Sequence, residues 1–218
     1  MNEPHDTDKA KRLRRAISDE IRRSQSSLRA NVRSSSGGST SSVDQRESDY
    51  HQARVLLLID TFSGKDGSLD GLTKLAKLDF LLRYPAFLEQ LAESRAVTNL
   101  ALDDNTRPSS NERNAVESRM IRYKYGPWDN KYYGIVGALV GRGLIEYVPG
   151  RSTNVALRPT SVGRTLADVL STDKTWSLTL QRCKALKRAF ARTSGNKIKD
   201  LIYQHLPDVV DRPHGSEI

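Results

Sequence analysis

The chain has 218 residues, 37% hydrophobic and 28% charged, with a formal net charge of +9 and a pI near 9.7. That length suits one ordinary domain with attachments or two small ones, and the composition is that of a soluble globular protein. The lone Cys183 excludes an internal disulfide and a cysteine-cluster zinc site, no run approaches the roughly 18–20 apolar residues that cross a bilayer, and the basic balance favours nucleic acid or an acidic partner.

The first stretch, MNEPHDTDKAKRLRR, places acids ahead of bases and has no apolar core, so no secretory leader is expected. A single cysteine fits a reducing compartment, and a cytoplasmic location is the expectation. Residues 1–47 read as a basic arm and Ser/Gly linker, largely disordered or conditionally helical. Lys9, Lys11, Arg12, Arg14, Arg15, Arg22, Arg23 and Arg29 surround an apolar line of Leu13, Ile17, Ile21 and Leu28, whose spacing puts it on one helical face. That line is too narrow to fold alone, and RSSSGGSTSS after it is a flexible tether by composition. The arm is either a solvated basic tail or a segment that becomes helical on DNA or in a partner's groove.

Residues 48–171 are the organised middle, read as a winged-helix domain with an insertion at 97–117. SDYHQARVLLLIDTFSG puts Val55, Leu58, Ile59 and Phe62 on one face, with Ser48 or Asp49 available as a cap. SLDGLTKLAKLDFLLRYP is a second helix whose Tyr84-Pro85 step disfavours continuation, and PAFLEQLAESR opens a short helix with proline in its first turn. DDNTRPSSNERN is a polar loop. Ile121, Tyr123 and Tyr125 alternate with Met120, Arg122 and Lys124 as in a strand, which Gly126-Pro127 is expected to end. Asp129 is placed to cap a helix over 130–142, and Gly143 to stop it. LIEYV and NVALR are two short strands about a PGRST turn. Thr160 or Ser161 caps a further helix, expected to turn Val162, Leu166, Val169 and Leu170 inward.

Residues 172–218 form a C-terminal helical extension. Trp176, Leu180, Cys183 and Phe190 make an apolar stripe, with Arg182, Lys184, Lys187, Arg188 and Arg192 around it. NKIKDLIYQHLPDVV is another short helix. The fold expected is mainly α with a small antiparallel β-hairpin or sheet: a winged helix-turn-helix core, C-terminal helices and the basic arm.

Catalytic patterns are weak. His5, His51, His205 and His214 share no ligand spacing, so no metal is expected. SGKDGS lacks the leading glycine and the strand–loop–helix context of a phosphate-binding loop. Cys183 lies on an apolar stripe, where thiols are usually inert. Asp79, Glu89 and Glu93 are spaced as helix-surface acids. The chain is read as a non-enzyme without a cofactor; a small metal-dependent nuclease is the distant enzymatic alternative.

Projected at about 100° per residue, helix 130–142 gathers Tyr132, Ile135, Val136, Leu139 and Val140 on its core side. The opposite side holds Asn130, Gly134, Gly137, Ala138 and Gly141. Base reading needs long donors and acceptors, and Asn130 alone supplies one. Three glycines cost roughly 1 kcal/mol each against alanine, so Gly134, Gly137, Ala138 and Gly141 point to close approach by another surface. That surface is helix 174–192 of the same chain, a protein partner, or a phosphate backbone. Lys131, Arg142, Arg151 and Arg158, with Arg12, Arg14, Arg15, Arg22 and Arg23 of the arm, are the candidate contacts to duplex DNA, through phosphates rather than bases.

LAKLDFLLRYP and MIRYKYGPWDNKYYGIVGALVGRGLIEYV resemble the middle components of bacterial ABC three-component systems, the Lamassu-type anti-phage systems, over roughly residues 50–205. Phe80, Arg83, Tyr84, Tyr125, Gly126, Pro127, Trp128 and Asp129 carry the shared pattern. The resemblance implies a winged-helix accessory subunit beside an SMC/Rad50-like ABC ATPase, with a separate, nuclease-type effector subunit. A free-standing winged-helix transcriptional regulator is the alternative.

Overall fold

The computed structural model describes residues 42–65, 67–114, 120–123, 126–150, 155–211, 213–214 and 216–218. In chain order its elements are α1 (Ser42–Ser63), β1 (Leu69–Asp70), α2 (Gly71–Arg83), α3 (Pro85–Glu93), α4 (Ser110–Asn114), β2 (Ile121–Tyr123), β3 (Gly126–Trp128), α5 (Lys131–Gly141), β4 (Ile145–Pro149), β5 (Val155–Pro159), α6 (Ser161–Thr172), α7 (Lys174–Phe190), α8 (Gly195–His205) and α9 (Pro207–Val210). The chain is mainly helical with a small three-stranded antiparallel sheet, as its residue pattern predicts, and it carries a separate two-stranded hairpin.

α1 is the axis of the core. Val55, Leu56, Leu57, Leu58 and Ile59 are consecutive and none is more than 2% exposed. A helix that is apolar all round has to be enclosed, and α2, α5, α6, α7 and β5 all pack against it. The predicted stripe of Val55, Leu58, Ile59 and Phe62 is therefore only part of its buried surface. α1 also begins at Ser42, so Ser48 and Asp49 lie inside the helix rather than capping it. Their stretch is tied turn to turn instead: Gln52 Nε2 donates to Ser48 Oγ at 3.1 Å, and His51 Nε2 lies 3.3 Å from Glu47 Oε1.

β5 is central in the sheet order β1-β5-β4, with Leu157 opposite Leu69 on one side and Tyr147 on the other. The two-residue β1 is too short to show an alternating pattern in the sequence. Gly126-Pro127 does not simply end a strand: it forms the return strand β3, Ile121 facing Trp128 and Tyr123 facing Gly126. A two-stranded ribbon has only edges, where proline is tolerated.

α5 ends as predicted. Gly143 takes φ +68°, and the amides of Gly143 and Leu144 donate to Val140 O and Leu139 O, each at 2.9 Å. This paired closure satisfies carbonyls that the helix end leaves open. α6 starts as predicted too, with the Gly163 amide donating to Thr160 Oγ1 at 3.1 Å.

The orientation of α6 corrects the sequence reading. Val162, Leu166 and Val169 face outward, 60%, 37% and 61% exposed, while Gly163 and Ala167 are buried. A Cβ on Gly163 would stand 1.8 Å from Leu144 O. The helix thus seats its smallest residues against the start of the β-hairpin, which rotates the larger apolar ones away. Arg164 reaches inward to Asp60 and to the Gly64 carbonyl.

α7 and α8 share the core of the preceding elements: Trp176, Cys183, Leu186, Phe190, Ile198 and Ile202 all join one hydrophobic cluster with α1 and α2. Tyr84 ties Met120 and Ile218 to this core. Its hydroxyl accepts the Met120 amide at 2.7 Å and donates to Ile218 O at 3.2 Å.

Candidate protein-docking and nucleic-acid surfaces

α5 is fixed in place by a buried polar network. Arg54 Nε and Nη2 donate to the two carboxylate oxygens of Asp79 at 2.7 and 3.1 Å, and Tyr132 Oη donates to Asp79 Oδ2 at 2.7 Å. These three residues belong to α1, α2 and α5, so one carboxylate joins three helices. Asp79 is 0% exposed, which corrects its reading as a surface acid. Burial pushes its carboxyl up, but the Arg54 guanidinium and its hydrogen bonds, then Arg83 and Tyr132, hold it below the ordinary carboxylate range. Glu89 is also buried, 8% exposed, between Arg113 and Arg107. Of the three acids, Glu93 alone matches the surface reading, with a side chain 60% exposed.

The network continues outward through His51 Nδ1, 3.0 Å from Arg54 Nη1, to Glu47, which Lys131 Nζ meets at 3.4 Å. Burial and the adjacent Arg54 lower the His51 pKa, which disfavours a charged imidazole in this chain of contacts. Arg83 Nη1 donates to Asp129 Oδ2 at 2.9 Å, and Asp129 Oδ1 accepts the Lys131 amide at 2.9 Å. Asp129 thereby caps the first turn of α5, as its position predicts.

The RYKYGPWD stretch has its own buried tie. Lys77 is 0% exposed, and its ammonium donates to Pro127 O at 2.7 Å. Burial, with repulsion from Lys199, pulls the Lys77 pKa down to about 7. Gly126 has φ +93°, and a Cβ there would stand 2.9 Å from Lys77 Cε and 3.1 Å from Lys199 Cγ. Glycine is required twice over, by conformation and by space. Phe80, Arg83, Tyr84, Gly126, Pro127 and Asp129 therefore serve packing and positioning in this fold, and Trp128 packs edge-on against Tyr132 at 5.7 Å. Tyr125 lies outside the described residues.

The small-residue face of α5 is open. A Cβ added at Gly134, Gly137 or Gly141 meets nothing within 4 Å among the described residues. α7 covers α1, α2 and α6 instead, so helix 174–192 is not what these glycines accommodate.

The candidate phosphate contacts divide. Lys131, Arg142 and Arg158 are exposed but engaged: Lys131 with Glu47, Arg142 with Asp49 at 3.3 Å, and Arg158 with Glu146 at 2.8 Å. Each is a surface pair worth about 0–1 kcal/mol, which a phosphate has to displace. Arg12, Arg14, Arg15, Arg22, Arg23 and Arg151 lie outside the described residues. By contrast, Lys184 and Arg188 on the exposed side of α7 and Arg192 just past its end follow one another at four-residue spacing. None stands within ion-pair distance of a carboxylate among the described residues, although Arg188 adds through space to the lowering of the Asp103 carboxyl pKa by Thr106.

Arg182 belongs to a different class from its basic neighbours on α7. It is 5% exposed, and it donates to Thr106 O at 3.0 Å and to both oxygens of Glu112 at 2.8 and 3.2 Å. Arg54, Arg83 and Arg182 line a cleft of about 360 Å³, but each is committed to a carboxylate, of Asp79, Asp129 and Glu112 in turn. Cys183 is fully buried, which drives its thiol pKa up and keeps it protonated. Among the described residues no three His, Cys, Asp or Glu side chains gather as metal ligands, and no helix is long and apolar enough to cross a membrane.

Compared with protein families, with curated proteins and with solved structures, the chain gives no match.

Proposed function

We propose that this chain is a non-catalytic, cytoplasmic winged-helix accessory subunit of a bacterial anti-phage defence complex. It docks on an SMC-like ABC ATPase and helps hold DNA, while a separate effector supplies the toxic activity. The element order α1-β1-α2, then α5-β4-β5, with strands arranged β1-β5-β4, supports the winged-helix reading. In that arrangement α5 stands where a base-reading helix stands.

The open face of α5 is the observation that carries the proposal. Gly134, Gly137, Ala138 and Gly141 offer no long donor or acceptor to a base edge, and there is room for another surface to come close. The α5 face is the protein-docking surface. DNA is held through phosphates by Lys184, Arg188 and Arg192, in the carboxyl-terminal half of α7 and just past its end, and by the arm, with Lys131, Arg142, Arg151 and Arg158 as further contacts.

The test is co-purification with a co-expressed SMC-like ABC ATPase of such a system. The native chain is expected to bind at micromolar concentration or better, and Gly137→Arg, which plants a long charged side chain in the open face, to lose binding by at least tenfold. No binding by the native chain removes the docking role. A selection from random duplexes that returns one motif, preferred about 10³-fold over other DNA, assigns the chain instead as a free-standing regulator.

A further inference from the structure

The large apolar side chains exposed among the described residues are Tyr50, Val162, Leu166 and Val169, and the last three belong to α6. Spacings of four and three put them in one line along the helix. On this helix the exposed polar residues are Ser161, Thr165, Asp168, Ser171 and Thr172. Just beyond its last turn lie Asp173, whose Oδ1 also accepts the Thr175 amide at 2.8 Å, and the exposed Lys174. The helix's base, Arg164, is turned inward to Asp60. α6 therefore shows an apolar line beside two carboxylates, in a chain whose net charge is +9.

Size limits what can occupy this face. Three side chains exposed by 60%, 37% and 61% fall well short of the about 800 Å² per partner that a stable interface buries. A second copy or a freely diffusing partner held here alone is undersized. A segment of the same chain is not subject to that limit, because tethering raises its effective concentration to the order of millimolar.

The arm has the matching pattern. Leu13, Ile17 and Ile21 repeat at four-residue spacing, and residues 8–29 carry eight bases against Asp8, Asp19 and Glu20. The tether also reaches. Residues 29–41 span roughly 20 Å as a Ser/Gly-rich chain. Tyr50 lies about 12 Å along α1 from Ser42 and stacks on Trp176 at 5.0 Å, just past the carboxyl end of α6.

We propose that residues 8–29 dock as a helix on the exposed face of α6. Leu13, Ile17 and Ile21 cover Val162, Leu166 and Val169, and the arm's bases lie beside Asp168 and Asp173. A polyanion that draws off those bases competes with the docked state, so the arm is either seated on α6 or engaged with phosphate.

Hydrogen–deuterium exchange on the full chain tests this, comparing the native protein with the double variant Val162→Asp/Val169→Asp. Both positions are exposed, so the core is left intact, and circular dichroism checks that it is. Amides in 8–29 are expected to exchange at least tenfold faster in the variant. Equal exchange in the two chains, fast or slow, overturns the proposal. A concentration-dependent dimer that the variant dissolves overturns it as well, because a second copy is then the occupant.

Discussion

Arg83 and Asp129 stand 46 positions apart and meet at 2.9 Å, and the second oxygen of the same carboxylate takes the amide that opens α5. The Arg83 side chain is 2% exposed and that of Asp129 14%. Asp129→Ala therefore takes one charged hydrogen bond from a buried guanidinium that Asp79 still attracts, at a cost of about 1–3 kcal/mol, and removes a helix cap worth about 1 kcal/mol. Asp129→Asn keeps a cap acceptor and is expected to lose less. Urea unfolding of the two variants measures both; a loss below about 1 kcal/mol in Asp129→Ala contradicts the dual role.

Lys77 makes stability depend on pH in a defined direction. Its folded pKa is about 7, against about 10.4 in an unfolded chain. Between those values the unfolded state binds more protons, so this group's contribution to stability rises with pH across that window. Lys77→Met removes the effect and also deprives Pro127 O of its donor, costing about 1–3 kcal/mol. The variant's stability relative to the native chain is thus expected to fall steadily from pH 7 to pH 10. Denaturation curves at several pH values test this, and parallel pH profiles refute it.

The parts legible in the sequence are those specified locally. Gly143, Thr160 and Pro85 each act within a few residues of themselves, and the elements they bound fall where expected. Asp79 was opaque because its burial depends on Arg54 and Tyr132, 25 and 53 residues away; a carboxylate between apolar residues of a helix otherwise reads as solvent-facing. α6 misleads for a related reason. Its apolar line has the periodicity of a core face, yet the close seat at Leu144 O admits only Gly163, and that constraint lives in the partner. The small-residue face of α5 could be drawn from periodicity alone, but its openness required the positions of α1 and α7.

Two glycines should respond oppositely to the same substitution. At Gly137 an added methyl meets nothing within 4 Å among the described residues, so Gly137→Ala is expected to raise stability by roughly 1 kcal/mol through helix propensity. At Gly163 it would lie 1.8 Å from a backbone oxygen, so Gly163→Ala is expected to cost about 3 kcal/mol or more through overpacking. Thermal unfolding separates them. The docking proposal adds a second readout: Gly137→Ala, though more stable, binds the ATPase more weakly. A variant that gains stability and keeps full affinity removes Gly137 from the interface.

The distribution of ion pairs predicts where phosphates are held. Lys131, Arg142 and Arg158 each face a carboxylate, so a phosphate that binds them exchanges one anion for another. Lys184, Arg188 and Arg192 displace no ion-paired carboxylate among the described residues, and the four-residue step sets Lys184 and Arg188 about 6 Å apart along α7, with Arg192 just past its end. Each released counterion contributes about 0.9 to the slope of log affinity against log salt concentration. Replacing Lys184, Arg188 and Arg192 with alanine is therefore expected to reduce that slope by about 2–3, uniformly across DNA sequences. Replacing Lys131, Arg142 and Arg158 is expected to reduce it by less than about 1. Fluorescence anisotropy with a 20-base-pair duplex between about 50 and 200 mM salt compares the two triple variants. If the second set carries the larger change, DNA runs along α5 and the hairpin, and the surface assigned here to protein docking has to be shared with nucleic acid.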